Sequence, residues 1–330
     1  MKKAIYVFND GEIKRKDNTL CFESEQGRRF IPVEDINEIH IYGEVTLNKR
    51  FLEFLTEKEI ILHFYNNYGY YCGSYYPREH LNSGYMILRQ AEHYLDKERR
   101  MVLAKAIARG AIANMQEVLR YYLNRGKDVG TQLQNIESLA ASIDGAQTIE
   151  VLMAIEGNIR DAYYSAFNTI IDKSEFYFEG RTRRPPRDRI NALISFGNTM
   201  AYTTCLSEIY RTHLDPRISF LHTTNFRRFS LNLDIAEIFK PILVDRIIFY
   251  LLSHNMLKSN HFESKVAGII LNDKGRQVFI SEWENRLRTT IKHREIGRSV
   301  SYRRLIRLEL YKLEKHLMGE KPYQPYISRW

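Results

Sequence analysis

The period of the hydrophobic positions changes about a quarter of the way along this chain. Up to about residue 80 the apolar and aromatic residues come in short β-branched runs, AIYVF, TLCFES, RRFIPV, EIHIY, IILHFY and YYCGSYY, separated by turn residues such as Asn9-Asp10-Gly11. Runs of that length and composition predict strands. One stretch among them, NKRFLEFLTEKE, places Phe51, Leu52 and Leu55 at helical spacing and predicts a helix. From about residue 85 the helical period takes over. YMILRQAEHYLDKERRMVLAKAIARGAIANMQEVLRYYL predicts two helices, and ESLAASIDGAQTIEVLMAIEGNIRDAYYSAFNTII continues the pattern with Gly145 and Gly157 as weak points. Further helices are predicted in NALISFGNTMAYTTCLSEIYRTHL, in IAEIFKPILVDRIIFYLLSH and in a basic segment reaching about Met318, and the prolines of KPYQPYISRW make the tail extended. The expected fold class is α+β: a small β-strand domain over residues 1–84, then a larger all-α domain over residues 85–330.

Composition supports a folded protein, with 44% hydrophobic and 27% charged residues. The opening MKKAIYVFNDG breaks into polar residues before a signal-peptide core could form. The apolar run PILVDRIIFYLL is cut by Asp245 and Arg246, far short of the roughly 20 residues that span a bilayer. Cys21, Cys72 and Cys205 make no paired spacing. A reduced, cytoplasmic protein with no membrane association is expected. Charge adds more once it is divided along the chain. Residues 1–84 carry 11 Lys/Arg against 13 Asp/Glu, whereas the remainder carries 38 against 27. The whole positive excess therefore lies in the helical part, where a field of that sign favours polyanions, nucleic acid first and acidic membrane second. Its densest point is EGRTRRPPRDR, with five arginines between Arg181 and Arg189. Arg183, Arg184 and Arg187 are candidates for phosphate contacts, the alternative being a solvated loop. The tyrosines of YNNYGYYCGSYYP fit packing or a dimer surface better than base stacking.

Acids also lie where the helical pattern demands apolar residues. Glu156 falls in the stripe Ile149, Leu152, Met153, Tyr163, Phe167, Ile170. A lone buried carboxylate needs a cation, a proton or a partner. Arg160, one turn on, offers an ordinary i,i+4 pair. Asp234 and Glu237 are neighbours on another helix, and two adjacent acids repel unless something positive sits between them. Pro241 cannot donate to the Glu237 carbonyl, so that helix should kink or open beside the acids. His222 precedes it in a loop. Carboxylates with one imidazole suit Mg²⁺ or Mn²⁺, whereas zinc usually takes more nitrogen or sulfur. Such an ion, flanked by Arg160, Arg227, Arg228 and the 181–189 cluster, is what phosphodiester chemistry needs.

The segments AIEGNIRDAYY, NALISFGNTM, LDPRISFLH and RFSLNLDIAEIFKPILVDR, in this order, resemble the family of CRISPR-associated protein one, the integrase of CRISPR adaptation, over essentially the whole chain. The resemblance implies metal ligands at Glu156, His222 and Glu237, with Asp234 assisting as a catalytic residue. Glu237 stands where some members have Asp, and Lys240 replaces a common arginine. It implies transesterification: the 3′-hydroxyl of a captured DNA fragment attacks a phosphodiester at the edge of a CRISPR repeat, with DNA cleavage when water is the nucleophile. It implies homodimers through the β domain, and a complex with the small ferredoxin-like CRISPR-associated protein two. The alternatives are a general metal-dependent repair nuclease and a non-enzymatic DNA-binding scaffold. Tyr163 and Tyr164, just past Glu156, could stack at a DNA fork, although Tyr163 also fits the core stripe.

Overall fold

The computed structural model describes residues 2–78, 81, 83–183, 185–223, 229–266, 268–293 and 297–329. The chain forms two compact units, residues 1–80 and 81–330.

The first unit holds two four-stranded sheets and one helix. In one sheet β1 (Lys3–Val7), β5 (Ile36–Ile41) and β7 (Ile61–Tyr65) run parallel, and β8 (Tyr71–Tyr75) closes the edge antiparallel to β7. The other has the order β4 (Gly27–Pro32), β3 (Thr19–Ser24), β2 (Gly11–Lys16) and β6 (Val45–Leu47). Between β6 and β7 lies α1 (Lys49–Lys58), started by the Asn48 side chain, which accepts from the Phe51 N–H at 3.0 Å. Phe51, Phe54 and Leu55 of this helix join Ile39, Ile41 and Leu62 in a buried core. Because strand side chains alternate, seating Ile39 and Ile41 in that core turns Glu38 and His40 to the opposite face of β5. Both are nonetheless buried.

The second unit is built on helices: α2 (Gly84–Leu95), α3 (Lys97–Leu123), α4 (Gly130–Ala140), α5 (Ile149–Ser165), α6 (Phe167–Ile171), α7 (Arg189–Ile209), α8 (Leu231–Phe239), α9 (Arg246–Ser253), α10 (Asp273–Arg288) and α11 (Tyr302–Leu317). Two short antiparallel ribbons, β9 (Phe262–Lys265) with β10 (Gly268–Leu271) and β11 (Thr290–Lys292) with β12 (Ser299–Ser301), are set among them. The long segment predicted as two helices divides at Asp96, whose carboxylate accepts from the Glu98 and Arg99 N–H groups and starts α3. α7 is buried on nearly every side, as a helix apolar all round must be.

Two devices position α8. Asn114, buried in α3, donates to the Ile238 carbonyl at 2.8 Å and the Tyr326 carbonyl at 3.0 Å, while its own oxygen accepts from the Ser328 N–H at 2.8 Å. The extended tail is thereby clamped beside the C-terminal end of α8. Its approach is close enough that a Cβ on Gly110 would lie 2.5 Å from Pro325. The second device is Pro241. Without an N–H at that position the α-helical ladder cannot continue, and residues Pro241–Asp245 form a π turn in which the Asp245 N–H reaches the Lys240 carbonyl at 3.1 Å. The sequence-based expectation of an opening beside the acids corresponds to this turn.

Candidate functional site

Glu156 projects from the middle of α5, Asp234 and Glu237 from α8, and His222 from the loop before α8. The loop is held rigidly. Phe220 and Leu221 are fully buried, the Phe220 carbonyl accepts from Arg100 Nε at 2.9 Å, and Ser219 Oγ donates to the His222 carbonyl at 2.7 Å. What fixes its path is Asp234, itself fully buried. Its Oδ2 accepts from the Phe220 and Leu221 N–H groups at 2.7 and 2.9 Å; its Oδ1 accepts from the His222 N–H at 2.9 Å and lies 2.8 Å from His222 Nδ1. An ionised carboxylate is an acceptor only, so the His222 proton sits on Nδ1. Nε2 then faces Glu237 Oε1 at 4.0 Å. Burial disfavours the imidazolium, but the hydrogen bond and charge of Asp234, with the charge of Glu237, outweigh it and raise the His222 pKa.

Two buried cations join the acids. The Arg160 guanidinium bridges α5 and α8, donating to Glu156 Oε1, at 2.9 Å from its Nε, and to Glu237 Oε2. Lys240 Nζ donates to Glu237 Oε1 at 2.5 Å and lies over the Tyr202 ring. Burial works against the Glu237 charge, yet Arg160, Lys240 and His222 more than compensate and hold its carboxyl well below the usual carboxylate range. Lys240 is raised in return, chiefly by Glu237 acting against burial. The i,i+4 pair read from α5 alone is present, and the same guanidinium also reaches an acid 77 residues away. Arg160 is turned inward, toward carboxylates and away from solvent.

Next to this cluster Asp245, in the π turn, accepts from the Tyr163 hydroxyl at 3.1 Å. Burial pushes its carboxyl up to about 7 against the lowering effects of that bond and of Arg160 and Lys240. Tyr163 and Tyr164 are buried among Phe167 and Phe178. The reading of these rings as stacking platforms for DNA is therefore replaced by a core role, the one the Tyr163 stripe position also allowed.

Of the basic loop, Arg183 and Arg187 are exposed and form no ion pair among the described residues. Arg181 is spent internally on Asn191 Oδ1 at 2.7 Å and Ser195 Oγ at 3.1 Å, and Arg189 on the Glu175 carbonyl at 2.6 Å. Arg184, Arg227 and Arg228 lie outside the described residues.

The family model of CRISPR associated protein Cas1 matches residues 5–285. A protein of Thermodesulfovibrio yellowstonii, called CRISPR-associated endonuclease Cas1 2, is 61% identical over 330 residues, the full length of both chains. This chain belongs to the Cas1 family. Among solved structures, a Cas1 protein from Thermotoga maritima superposes with a TM-score of 0.90 at 47% identity, covering 98% of this chain and 99% of that one. A casposase bound to integration product superposes at 0.88 over the full chain and 96% of its own, at 20% identity, and so shares the fold.

The donor set of this Cas1 chain fits a hard divalent cation. Glu156 and Glu237 are already drawn to a single positive group, and the Nδ1 of His222 is fixed by a carboxylate, the usual support of a metal-ligating imidazole. Arg160 is the positive group both carboxylates hold in this structure. Lys240 and Asp245 were not singled out as site residues. The Lys-Pro step three residues past Glu237 was the available signal for the first; the second becomes apparent only once the π turn folds it inward.

Proposed function

We propose that this Cas1 chain is a metal-dependent DNA integrase of spacer acquisition, joining the 3′-hydroxyl ends of captured DNA to a CRISPR repeat. The single observation that carries the reading is the meeting at Glu237 of Glu156, joined to it through the Arg160 guanidinium, and of the Asp234-oriented His222, whose Nε2 lies 4.0 Å from Glu237 Oε1. Mg²⁺ or Mn²⁺ held by Glu156, His222 and Glu237 would polarise the scissile phosphoryl group and stabilise the charge of an in-line displacement. In that displacement the incoming 3′-oxygen forms a bond to the phosphorus at the repeat's 5′ edge and loses its proton, while the bond from that phosphorus to the flanking strand breaks and the flanking strand leaves as a new 3′-hydroxyl. With water as nucleophile the same centre cleaves DNA. The chain's own contributions are specific. Asp234 holds the imidazole in one tautomer, Lys240 keeps Glu237 ionised, and Arg160, displaced from the carboxylates, becomes available to a phosphate. Arg183 and Arg187, with Arg184, Arg227 and Arg228, track the flanking backbone. The near-neutral first unit suits protein contacts, a homodimer and the small CRISPR-associated protein two, while the basic second unit takes DNA.

The test is strand joining, with a labelled duplex bearing 3′-hydroxyl ends and a supercoiled plasmid carrying a repeat, in Mn²⁺ and in EDTA. Glu156→Ala should lower the rate at least about a thousandfold, roughly 4 kcal/mol of barrier, with DNA affinity little changed. The acids are also locked in salt bridges, as they would be in a scaffold that merely binds DNA. In that case Glu156→Ala would leave any activity untouched. Nicking without joining, even with the partner protein present, would instead identify a nuclease.

A further inference from the structure

In the first unit a second cluster of ligand-type side chains spans neighbouring strands. Glu38 and His40 are two apart on β5 and so share a face; His63 is the registered partner of His40 on β7. All three side chains are 0–1% exposed, on the face turned away from the Ile39, Ile41 and Leu62 core. Each imidazole is oriented through Nδ1: His40 by the Tyr65 hydroxyl at 2.8 Å and His63 by Ser74 Oγ at 2.7 Å. Both Nε2 atoms consequently point at one carboxylate, His40 at Glu38 Oε1 from 3.7 Å and His63 at Glu38 Oε2 from 4.0 Å. These separations exceed a hydrogen bond. His40 Nε2 is buried with no hydrogen-bond partner among the described residues. Donor atoms of all three residues lie within 4.8 Å of one another, a grouping that Glu156, His222 and Glu237 do not make while Arg160 stands between the two glutamates.

We propose that Glu38, His40 and His63 hold a transition-metal ion, zinc by preference, inside the β unit. Two ligands about 2.0–2.2 Å from one tetrahedral ion are about 3.4 Å apart, so the gaps of 3.7 and 4.0 Å to Glu38 close by roughly 0.3 and 0.6 Å and the remaining separation, within 4.8 Å, by at most about 1.4 Å. Two imidazoles with a single carboxylate are a nitrogen-rich set that selects zinc over magnesium or calcium. The Tyr65 and Ser74 hydroxyls supply the outer support that metal-bound histidines normally have. An ion there would bridge β5 and β7, strengthening a unit of 80 residues whose core is necessarily small. This centre is independent of the catalytic reading.

The experiment uses the full chain carrying Glu156→Ala and His222→Ala, which removes two of the three other candidate ligands and leaves Glu237 without them. After loading with zinc alone and passage through a desalting column, about one zinc per chain should remain, and His63→Gln added to that background should abolish it. Cobalt alone should give the intense visible bands of a tetrahedral site, lost in the same variant. Should His63→Gln fail to fold, X-ray absorption on the zinc-loaded parent counts imidazoles directly, and two are expected. A folded parent that retains no zinc, zinc retention indifferent to His63→Gln, or fewer than two imidazoles at the metal would each overturn the assignment.

Discussion

At the scale of single residues, Asp234 decides what its neighbours can do. Its two oxygens receive three backbone N–H groups and the imidazole Nδ1. That leaves no lone pair aimed at a further cation, and a carboxylate placed this way frames the His222 loop. Asn cannot reproduce it, because an amide NH₂ would face donors and leave buried N–H groups unpaired. Asp234→Asn should therefore destabilise the fold by about 3 kcal/mol, the cost of unsatisfied buried donors. It should also weaken Mn²⁺ binding about 10–100-fold, the usual effect of losing the carboxylate behind a ligating histidine. Thermal denaturation and a Mn²⁺ titration on the same samples check both. Binding that collapses while the melting temperature stays put would make Asp234 a direct ligand instead.

At the scale of elements, the π turn after α8 brings in a group that an unbroken helix would place elsewhere. Asp245 is buried with the Tyr163 hydroxyl, and its carboxyl is raised from 3.8 to about 7. The folded state thus binds more protons than the unfolded chain between those values, and stability contributed by the protonated form is lost as pH rises through about 7. Asp245→Asn keeps an acceptor for Tyr163 and removes the titration. The stability of the unsubstituted chain relative to this variant should fall by about 4 kcal/mol between pH 4 and pH 8, measured by denaturant unfolding in EDTA. A difference that does not change with pH would mean that Asp245 is ionised throughout. Pro241 made an opening at this point legible in the sequence, and the helical period made α3, α5, α7 and α8 legible. Local patterns missed elements whose apolar content is thin: β2, GEIKRK, reads as a charged stretch, β6 is three residues long, and the ribbons β9–β10 and β11–β12 depend on the helices around them. The acids of the candidate site were legible because they interrupt apolar stripes. Their partners were less so. Arg160 to Glu237 and Tyr163 to Asp245 are contacts across about 80 residues that only packing creates. Glu38, His40 and His63 stayed hidden because, in strands, every second residue is free to be polar without disturbing the pattern.

At the scale of the whole molecule, the question is which of the excess positive charges reach DNA. The first unit is slightly acidic and all the surplus lies in the second, but a surplus does not identify contacts. Burial removes Arg181 from consideration, since it is committed to Asn191 and Ser195 and burial even lowers its pKa, while Arg160 is held by carboxylates and reaches a phosphate only when released from them. Arg183 and Arg187 are different, being exposed and without an acidic partner among the described residues. If both neutralise phosphates, Arg183→Ala with Arg187→Ala should flatten the slope of log affinity against log salt by about two units, and adding Arg184→Ala should extend the change to about three. Strand-joining rate at saturating DNA should barely change, since these residues are assigned to holding the strand and the acids to the reaction. Arg181→Ala serves as the contrast, costing stability through Asn191 and Ser195 while leaving the salt slope nearly intact. A slope unaltered by the exposed pair would return the loop to solvent and shift the DNA path to other basic surfaces of the second unit. An unaltered slope with a slower joining step would instead place one of these arginines at the scissile phosphate itself.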